Sequence, residues 1–228
     1  MKNKNKNKNQ KIFLPEISII VCIYNHEKWI ERCIRSLFNQ INIQRKLFEI
    51  ILIDDKSTDN SLRVINDYKD FQGVRIIKNK KNLGLPNSIN IGIKNAKGRY
   101  IVRVDSDDYV GRNFLYLSKL FLDMNREYQA AASDYYLVNN DEIIIKKVNW
   151  LDEEIACGVM FRKECLFDIG LYNEKFKMRE GHELKKRFEK KYKIGHLEFP
   201  LYKYRSHDKN RTRDTKKLKK FNKLLRKK

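Results

Sequence analysis

The first half of this chain repeats one pattern four times: a short apolar run stops at polar or acidic residues and is followed by a stretch with helical spacing. Residues 17–23, entered after Pro15, form the first run, which ends at Asn25 or His26. Residues 27–39 follow, with Trp29, Ile30, Cys33, Ile34, Leu37 and Phe38 on one helical face. Residues 48–53 repeat the run and stop at Asp54 and Asp55; Ser57 or Asp59 then serves as the N-cap of a helix carrying Leu62, Ile65 and Tyr68. Residues 74–77 make a third strand, and the helix after the turn at 79–86 carries Ile89, Ile91 and Ile93, with Gly98 as its C-cap glycine. Residues 100–104 are the fourth strand, ending in Asp105, Ser106, Asp107 and Asp108, with a helix over 113–128. Strands this apolar are covered on both faces. The order βαβαβαβα therefore predicts an α/β fold with a mostly parallel central sheet between helical layers, a Rossmann-like α/β/α sandwich.

The second half is less regular. Residues 130–138 and 143–148 read as strands joined by a turn at 139–141, and 155–161 as a further strand. Residues 162–169 and 181–192 read as helices, and 197–204 as an edge strand where Pro200 is tolerated. Leu218, Phe221, Leu224 and Leu225 recur at helical spacing among lysines, which predicts a basic amphipathic helix. The organisation expected is a disordered basic segment over 1–14, one α/β domain over 15–208, and a basic tail over 209–228.

Length and charge narrow the functional classes. A chain of 228 residues has room for one sizeable α/β core. Its longest apolar stretches, 17–23 and 50–53, are far below the roughly 18 residues that cross hydrocarbon, and residues 1–11 lack the apolar segment of a secretory signal, so the cytoplasm is the expected compartment. Cys22, Cys33, Cys157 and Cys165 have neither redox nor zinc spacing. A net charge of +21 points to anionic surroundings, whether phosphorylated substrate, anionic lipid or nucleic acid.

In an open parallel sheet, ligands bind beyond the carboxyl ends of the strands, and two of these strands end in paired acids. Asp105 and Asp107, one residue apart across a turn, can face a common point. A divalent cation, Mg²⁺ or Mn²⁺ on oxygen-ligand grounds, explains such a pair; capping of the following helix by Asp107 or Asp108 is the alternative. Asp54 and Asp55 fit either a ribose or base contact or a solvated loop. Neither G-x-G-x-x-G nor G-x-x-x-x-G-K-[ST] occurs, so phosphate would need another source of positive charge, which a bound metal supplies.

Four stretches carry a family resemblance over residues 17–204: ISIIVCIYNHEKWIERCIRSLFNQ, EIILIDDKSTDNS, NLGLPNSINIG and GRYIVRVDSDDYV. In this order they resemble the family 2 glycosyltransferases of the GT-A fold, the last supplying the family's D-x-D signature. The resemblance implies transfer of a sugar, commonly from a UDP-sugar, to a glycan or lipid-linked acceptor in cell-surface polysaccharide assembly, with inversion. It implies that Tyr24, Asn25, Glu27, Asp54, Asp55, Asn82, Asp105 and Ser106 surround the nucleotide sugar, Asp55 near the nucleoside and Asp105 on the ribose and sugar side. Asp107 would contact the metal on the diphosphate. YKYRSHDKNRT resembles the family's Y-R-x-H-x-x-N-x-T ending, which brings Arg205 towards the diphosphate and His207 to the metal. Inverting transfer needs a base near the acceptor hydroxyl. The family places an Asp after the acid matched by Glu180, and here that position is Gly181; Glu180, then Glu183 and His182, are the candidates.

Two rivals remain: a Mg²⁺-dependent sugar-phosphate nucleotidyltransferase and a basic nucleic-acid-binding protein. The second is disfavoured, since no zinc-ligand spacing or aromatic RNA motif is present and the acids fall where a cationic groove would be harmed. The tail suits an anionic membrane surface, which implies peripheral attachment at the inner membrane face. Trp29 and Trp150 read as core or interface aromatics.

Overall fold

The four apolar runs become four parallel strands in a computed structural model that describes residues 14–226. β1 (Ile17–Ile23), β2 (Phe48–Asp54), β3 (Val74–Lys78) and β4 (Tyr100–Arg103) lie in the order β3-β2-β1-β4. Ile17 pairs with Phe48 on one side and with Tyr100 on the other, so the carboxyl ends of β1, β2 and β4 reach the same edge of the sheet. Every residue of β2 is buried, as is all of β1 except the half-buried Cys22. At about 1.5–3 kcal/mol for each fully buried aliphatic side chain, these two strands anchor the domain.

Helices cover both faces. α1 (Ile30–Phe38), α2 (Ser61–Asn66) and α4 (Phe114–Met124) set Ile34, Leu37, Ile65, Phe114 and Leu122 against Ile19, Val21 and Leu52. On the opposite face, α3 (Leu85–Asn95), α5 (Lys163–Asp168) and α6 (Glu180–Phe188) bury Ile89, Ile93, Leu166, Leu184 and Phe188 against Ile20, Ile51 and Ile53. The period-2 alternation of β1 thus divides its isoleucines between two cores.

Beyond β4 the sheet is mixed. β8 (Met160–Arg162) pairs antiparallel with β4 and with β6 (Ala130–Val138), and β9 (Ile194–Arg205) runs parallel to β6. β7 (Ile144–Val148) hangs on β6, and β5 (Tyr109–Val110), just after the acidic turn, pairs with β9. The sheet is therefore parallel across its first four strands and mixed across the rest.

Several boundaries differ from expectation for identifiable reasons. The segment 197–204 is no edge strand, since β9 is flanked by β6 and β5; its register shifts opposite Ser133–Tyr135, and that irregularity admits Pro200. Of the stretch 155–161 only its last two residues enter β8, and 155–157 instead line a cleft. Gly98 does not cap α3. It sits where a Cβ would lie 2.7 Å from the Ile17 carbonyl carbon and the Ser18 nitrogen, so it permits the entry of β4 beside β1. Neither Ser57 nor Asp59 is the N-cap of α2: Asn60 holds that position, and Asp59 accepts the Ser61 N–H at 2.9 Å from one residue before it.

The expected C-terminal helix is present as α7 (Thr215–Arg226), but its apolar stripe is occupied. Phe221 packs with Phe176 and Met178, and Leu218 and Leu225 lie against the same cluster. The side chains expected to enter a lipid headgroup boundary are thus turned inward, while Leu224 stays partly exposed. Among the described residues no helix is long and apolar enough to cross a membrane. The disorder expected of the first 14 residues falls, apart from Leu14, outside the described range.

Candidate active site

A cleft of about 840 Å³ opens at the carboxyl ends of β1, β2 and β4. Its volume suits a ligand of several hundred daltons. One end is walled by Tyr24, Asn25, Asp55 and 82–86, the middle by Arg103 and 105–107, and the far end by 154–157, 177–182 and the first turn of α7.

At the first end the carboxylates are committed to the backbone. Both oxygens of Asp55 are used: Oδ1 accepts from Asn79 Nδ2 and the Leu83 N–H, and Oδ2 from the Gly84 N–H, each at 2.8 Å. Gly84 has φ +84°, which places its N–H towards Asp55 immediately before α3. Asp55 therefore shapes the wall by holding the 82–86 loop. Asp54 is buried, accepts the Ser57 N–H at 3.2 Å and is not part of the cleft wall, so its place is in the turn. Asn25, at φ +56°, receives the Thr58 N–H and faces the cleft, as do the exposed Tyr24 and Asn82. Glu27 lies outside the wall and ties the first turn to the second by accepting the Asn60 N–H.

At the end of β4 the acids meet side chains instead. Asp105 is gripped in a fork by Arg103, Nε at 2.5 Å and Nη2 at 2.9 Å. The same guanidinium reaches Glu180 through Nη1 at 3.0 Å. Arg103 is only 7% exposed, so this buried triad stands or falls together: removing one member of a buried pair costs about 3–5 kcal/mol. Burial alone would raise the Glu180 carboxyl pKa, but Arg103 and Arg211 outweigh it and hold it below the usual range.

Asp107 points elsewhere and meets His207, whose Nε2 lies 2.9 Å from Oδ2. The Lys209 N–H donates to His207 Nδ1, which leaves the imidazole proton on Nε2 facing the carboxylate. Burial opposes ionisation of Asp107, yet His207 and His26 keep its pKa below the usual value. Trp29 stacks on His207 at 4.2 Å and meets His26 edge-on, so this tryptophan orients the histidines rather than serving as an open platform. Ser106 Oγ bridges the Cys22 carbonyl and His26 Nδ1. Trp150 is buried, as expected of a core aromatic.

The acidic turn has a third carboxylate behind these. Asp108 accepts from the Tyr202 hydroxyl at 2.9 Å and the Arg205 N–H at 2.8 Å; burial and the charges of Asp107 and Asp105 push its carboxyl well above the usual range. Ligand atoms of Asp105, Asp108 and Cys157 all lie within 4.8 Å of one another. That group suits a hard cation poorly, because Asp108 is occupied and buried behind the wall and burial keeps the Cys157 thiol protonated. Asp107 and His207 fit better. Asp107 lines the cleft with its carboxylate; the 2.9 Å contact is a hydrogen bond, and His207 would ligate an ion only with its proton moved from Nε2 to Nδ1, at the expense of the Lys209 contact.

Other expected site residues are placed apart. Arg205 does not reach the cleft: its Nε donates to the Asp107 carbonyl, its Nη1 to the carbonyls of Asn139 and Asn140, and its Nη2 to Glu142, so it clamps the acidic turn onto the β6–β7 turn. Glu183 also lies outside the wall, 2% exposed, forked to Arg187, which in turn binds the Ile169 and Leu171 carbonyls. His182 lines the cleft, but Arg179 Nη1 donates to its Nε2 at 2.9 Å, which occupies the lone pair a base would use. Burial and the Arg179 charge lower its pKa.

The departure at Gly181 has a steric counterpart. A Cβ there would lie 2.2 Å from the Ala156 Cβ, so the 154–157 loop fills the space an aspartate would need. Arg103, Arg179, Arg211, Lys177 and Lys209 also line the cleft and were not foreseen. Only the odd placement of an arginine inside a strand, two residues before an acidic turn, could have singled out Arg103.

The layered fold and the acidic cleft at its parallel strand ends define a GT-A-type α/β domain, and the comparisons place it further. Residues 18–178 match the model of glycosyl transferase family 2, and the chain belongs to that family. It is 46% identical over 102 residues, 44% of its length, to a poly(ribitol-phosphate) β-glucosyltransferase of Bacillus spizizenii, of which the match covers 16%. It is 37% identical over 147 residues, 64% of its length, to an uncharacterized glycosyltransferase of Haemophilus influenzae, of which it covers 40%. The chain thus spans well under two thirds of these relatives. Among solved structures, Staphylococcus aureus TarS 1–349 in complex with UDP-GlcNAc superposes with a TM-score of 0.73 at 23% identity, over 87% of this chain and 61% of that one. A Pyrobaculum calidifontis mannosyltransferase in complex with GDP-Man and Mn²⁺ gives 0.69 at 15% identity, over 86% and 58%.

Proposed function

We propose that residues 15–208 form a catalytic domain that moves a sugar from a nucleoside-diphosphate sugar, UDP-linked as in the TarS complex with UDP-GlcNAc, to a hydroxyl of a cell-surface glycan or lipid-linked acceptor, with inversion. The observation that carries this reading is the convergence of Asp105, Asp107 and Glu180 on one cleft whose opposite wall is built by Asp55. Relatives named as poly(ribitol-phosphate) glycosyltransferases support it.

The nucleoside lies between Tyr24–Asn25 and the 82–86 loop, where the exposed side chains of Tyr24 and Asn82 face the cleft. Asp107 and His207 would hold Mg²⁺ or Mn²⁺, which when bound supplies positive charge against the departing diphosphate. Ser106 and His26 keep that turn in place. Glu180 is the acceptor-side carboxylate, ionised at neutral pH, and the buried Arg103 fixes its position against Asp105. Contact with an anionic membrane surface would rest on the outward lysines of α7 alone, since its stripe is packed inward.

The test is a panel of nucleotide sugars with Mg²⁺ or Mn²⁺, followed by thermal shift and by release of nucleoside diphosphate. A rise in Tm with one donor that requires the divalent ion is expected. If no nucleotide sugar binds in the presence of either ion, the proposal fails; turnover of a nucleoside triphosphate with a sugar phosphate would move it to the nucleotidyltransferase class.

A further inference from the structure

The β6–β7 hairpin takes no part in the reaction just described, and its outer strand is unusual for a sheet edge. Among the described residues β7 pairs with β6 alone, so its second edge presents backbone groups that no strand takes up. Ile143, Ile144 and Ile145 follow one another along it at 62%, 51% and 56% exposure. Single exposed isoleucines are ordinary on a protein surface; three in succession at an open edge mark a contact site.

The hairpin is held ready for such a contact. Arg205 binds the Asn139 and Asn140 carbonyls, Glu142 accepts from both Arg205 and Arg32, and Asn139 Oδ1 accepts the N–H groups of Asp141 and Ile143. A preformed edge loses little conformational freedom on pairing. Beyond the isoleucines the edge is guarded: Lys146 and Lys147 are exposed, and the β6–β7 register shifts at Leu137–Val138, two features that discourage indiscriminate strand addition. A partner strand must therefore bring apolar residues to the isoleucines and an acid to the lysines.

The chain itself carries that strand. Residues 141–147 read DEIIIKK, acids before the isoleucines and lysines after them. Antiparallel pairing of two copies about Ile144 sets Ile144 against Ile144, Ile143 against Ile145 and Asp141 against Lys147, the last two contacts occurring twice by symmetry. Centring the pair on Ile145 instead sets Ile144 against Lys146 and Ile143 against Lys147. Glu142 stays with Arg32 and Arg205, and Lys146 with Glu153 at 2.7 Å. Asp141 makes no ion pair among the described residues, and Lys147, half exposed, has Asp134 at 3.4 Å.

We infer that β7 is a self-association edge, through which two copies of this chain join antiparallel about Ile144 and continue the sheet across a twofold axis. The occupant is a second copy because the edge is complementary to itself in both apolar and charged positions. One short strand per copy is buried, so the dimer is weak and concentration-dependent. None of residues 141–147 lines the cleft, and the inference stands apart from the identity of donor and acceptor.

The experiment is sedimentation equilibrium of the full chain from about 1 to about 300 µM, a range suited to a small interface. The mass should rise from the 27.5 kDa of the monomer towards twice that value. Ile144→Glu, at an exposed position, should stay monomeric throughout with its Tm unchanged. Asp141→Lys and Lys147→Asp should each weaken association about tenfold, since like charges then face one another. An equimolar mixture of these two variants should associate as the parent does, because every lysine again meets an aspartate. A parent chain that stays monomeric, an Ile144→Glu variant that still dimerises, or a mixture no stronger than its components would overturn the inference. So would a parent chain that remains monomeric and instead pellets with lipid vesicles through Ile144, which would make the hairpin a membrane contact.

Discussion

The two acidic strand ends look alike in sequence and do opposite work. At the end of β2, Asp55 spends both oxygens on Asn79, Leu83 and Gly84, and Asp54 serves Ser57. At the end of β4, Asp105 and Asp107 are held by side chains, Arg103 and His207, which a ligand or ion can compete for. Carboxylates bound to backbone N–H groups build a wall; Asp105 and Asp107, bound to buried side chains that line or back the cleft, keep their charge at its middle.

The sharpest way to break this comparison is to remove one acid from each end. Asp55→Ala leaves two backbone N–H groups and an amide without their acceptor, so a loss of about 3–5 kcal/mol is expected in urea unfolding. Asp107→Ala should cost about 1 kcal/mol in the same measurement and yet abolish divalent-dependent donor binding. Similar stability losses from both would refute the division of labour.

Gly181 sharpens the same contrast on the Glu180 side. Gly181→Ala should cost about 1–3 kcal/mol by thermal unfolding, because its Cβ meets Ala156, and adding Ala156→Gly should recover part of the loss. Gly181→Asp should not raise turnover. An active, stable Gly181→Asp variant would show that the 154–157 loop yields and that Glu180 is not the acceptor-side carboxylate.

The smallest effect concerns acid. Glu180 has its folded pKa depressed below the usual 4.5, after burial is offset by Arg103 and Arg211, so its ionised form stabilises the fold. That contribution is complete above about pH 4.5 and is lost as pH falls through the lower folded value. Glu180→Gln should therefore lower stability at neutral and alkaline pH and flatten the acid limb, so that variant and parent converge as pH falls below the folded pKa. An unchanged acid limb would detach Glu180 from Arg103.

Much of this arrangement was legible beforehand. β1, β2, β4 and the acidic turn follow from local pattern: dense apolar runs make strands, and parallel register carries their ends to one edge; the joining of Asp107 to His207, a hundred positions apart, was implied only by the family resemblance. Arg205 and Glu183 were misplaced because an arginine near an acidic turn, or an acid at a helix start, reads the same whether it faces ligand or backbone. The partners that fix them, Asn139, Asn140, Glu142 and Arg187, include residues more than sixty positions away for Arg205.

Hydrophobic period and strand-end chemistry are local properties, and the sequence alone determined the layered α/β core, the edge that carries the site and the amphipathic helix at its end. Tertiary structure decided which acids face open space, that Ala156 closes the position beside Glu180, and that α7 turns its apolar stripe inward and its lysines out. Each of these depends on contacts between residues distant along the chain, where packing and desolvation choose among partners of the same chemical type.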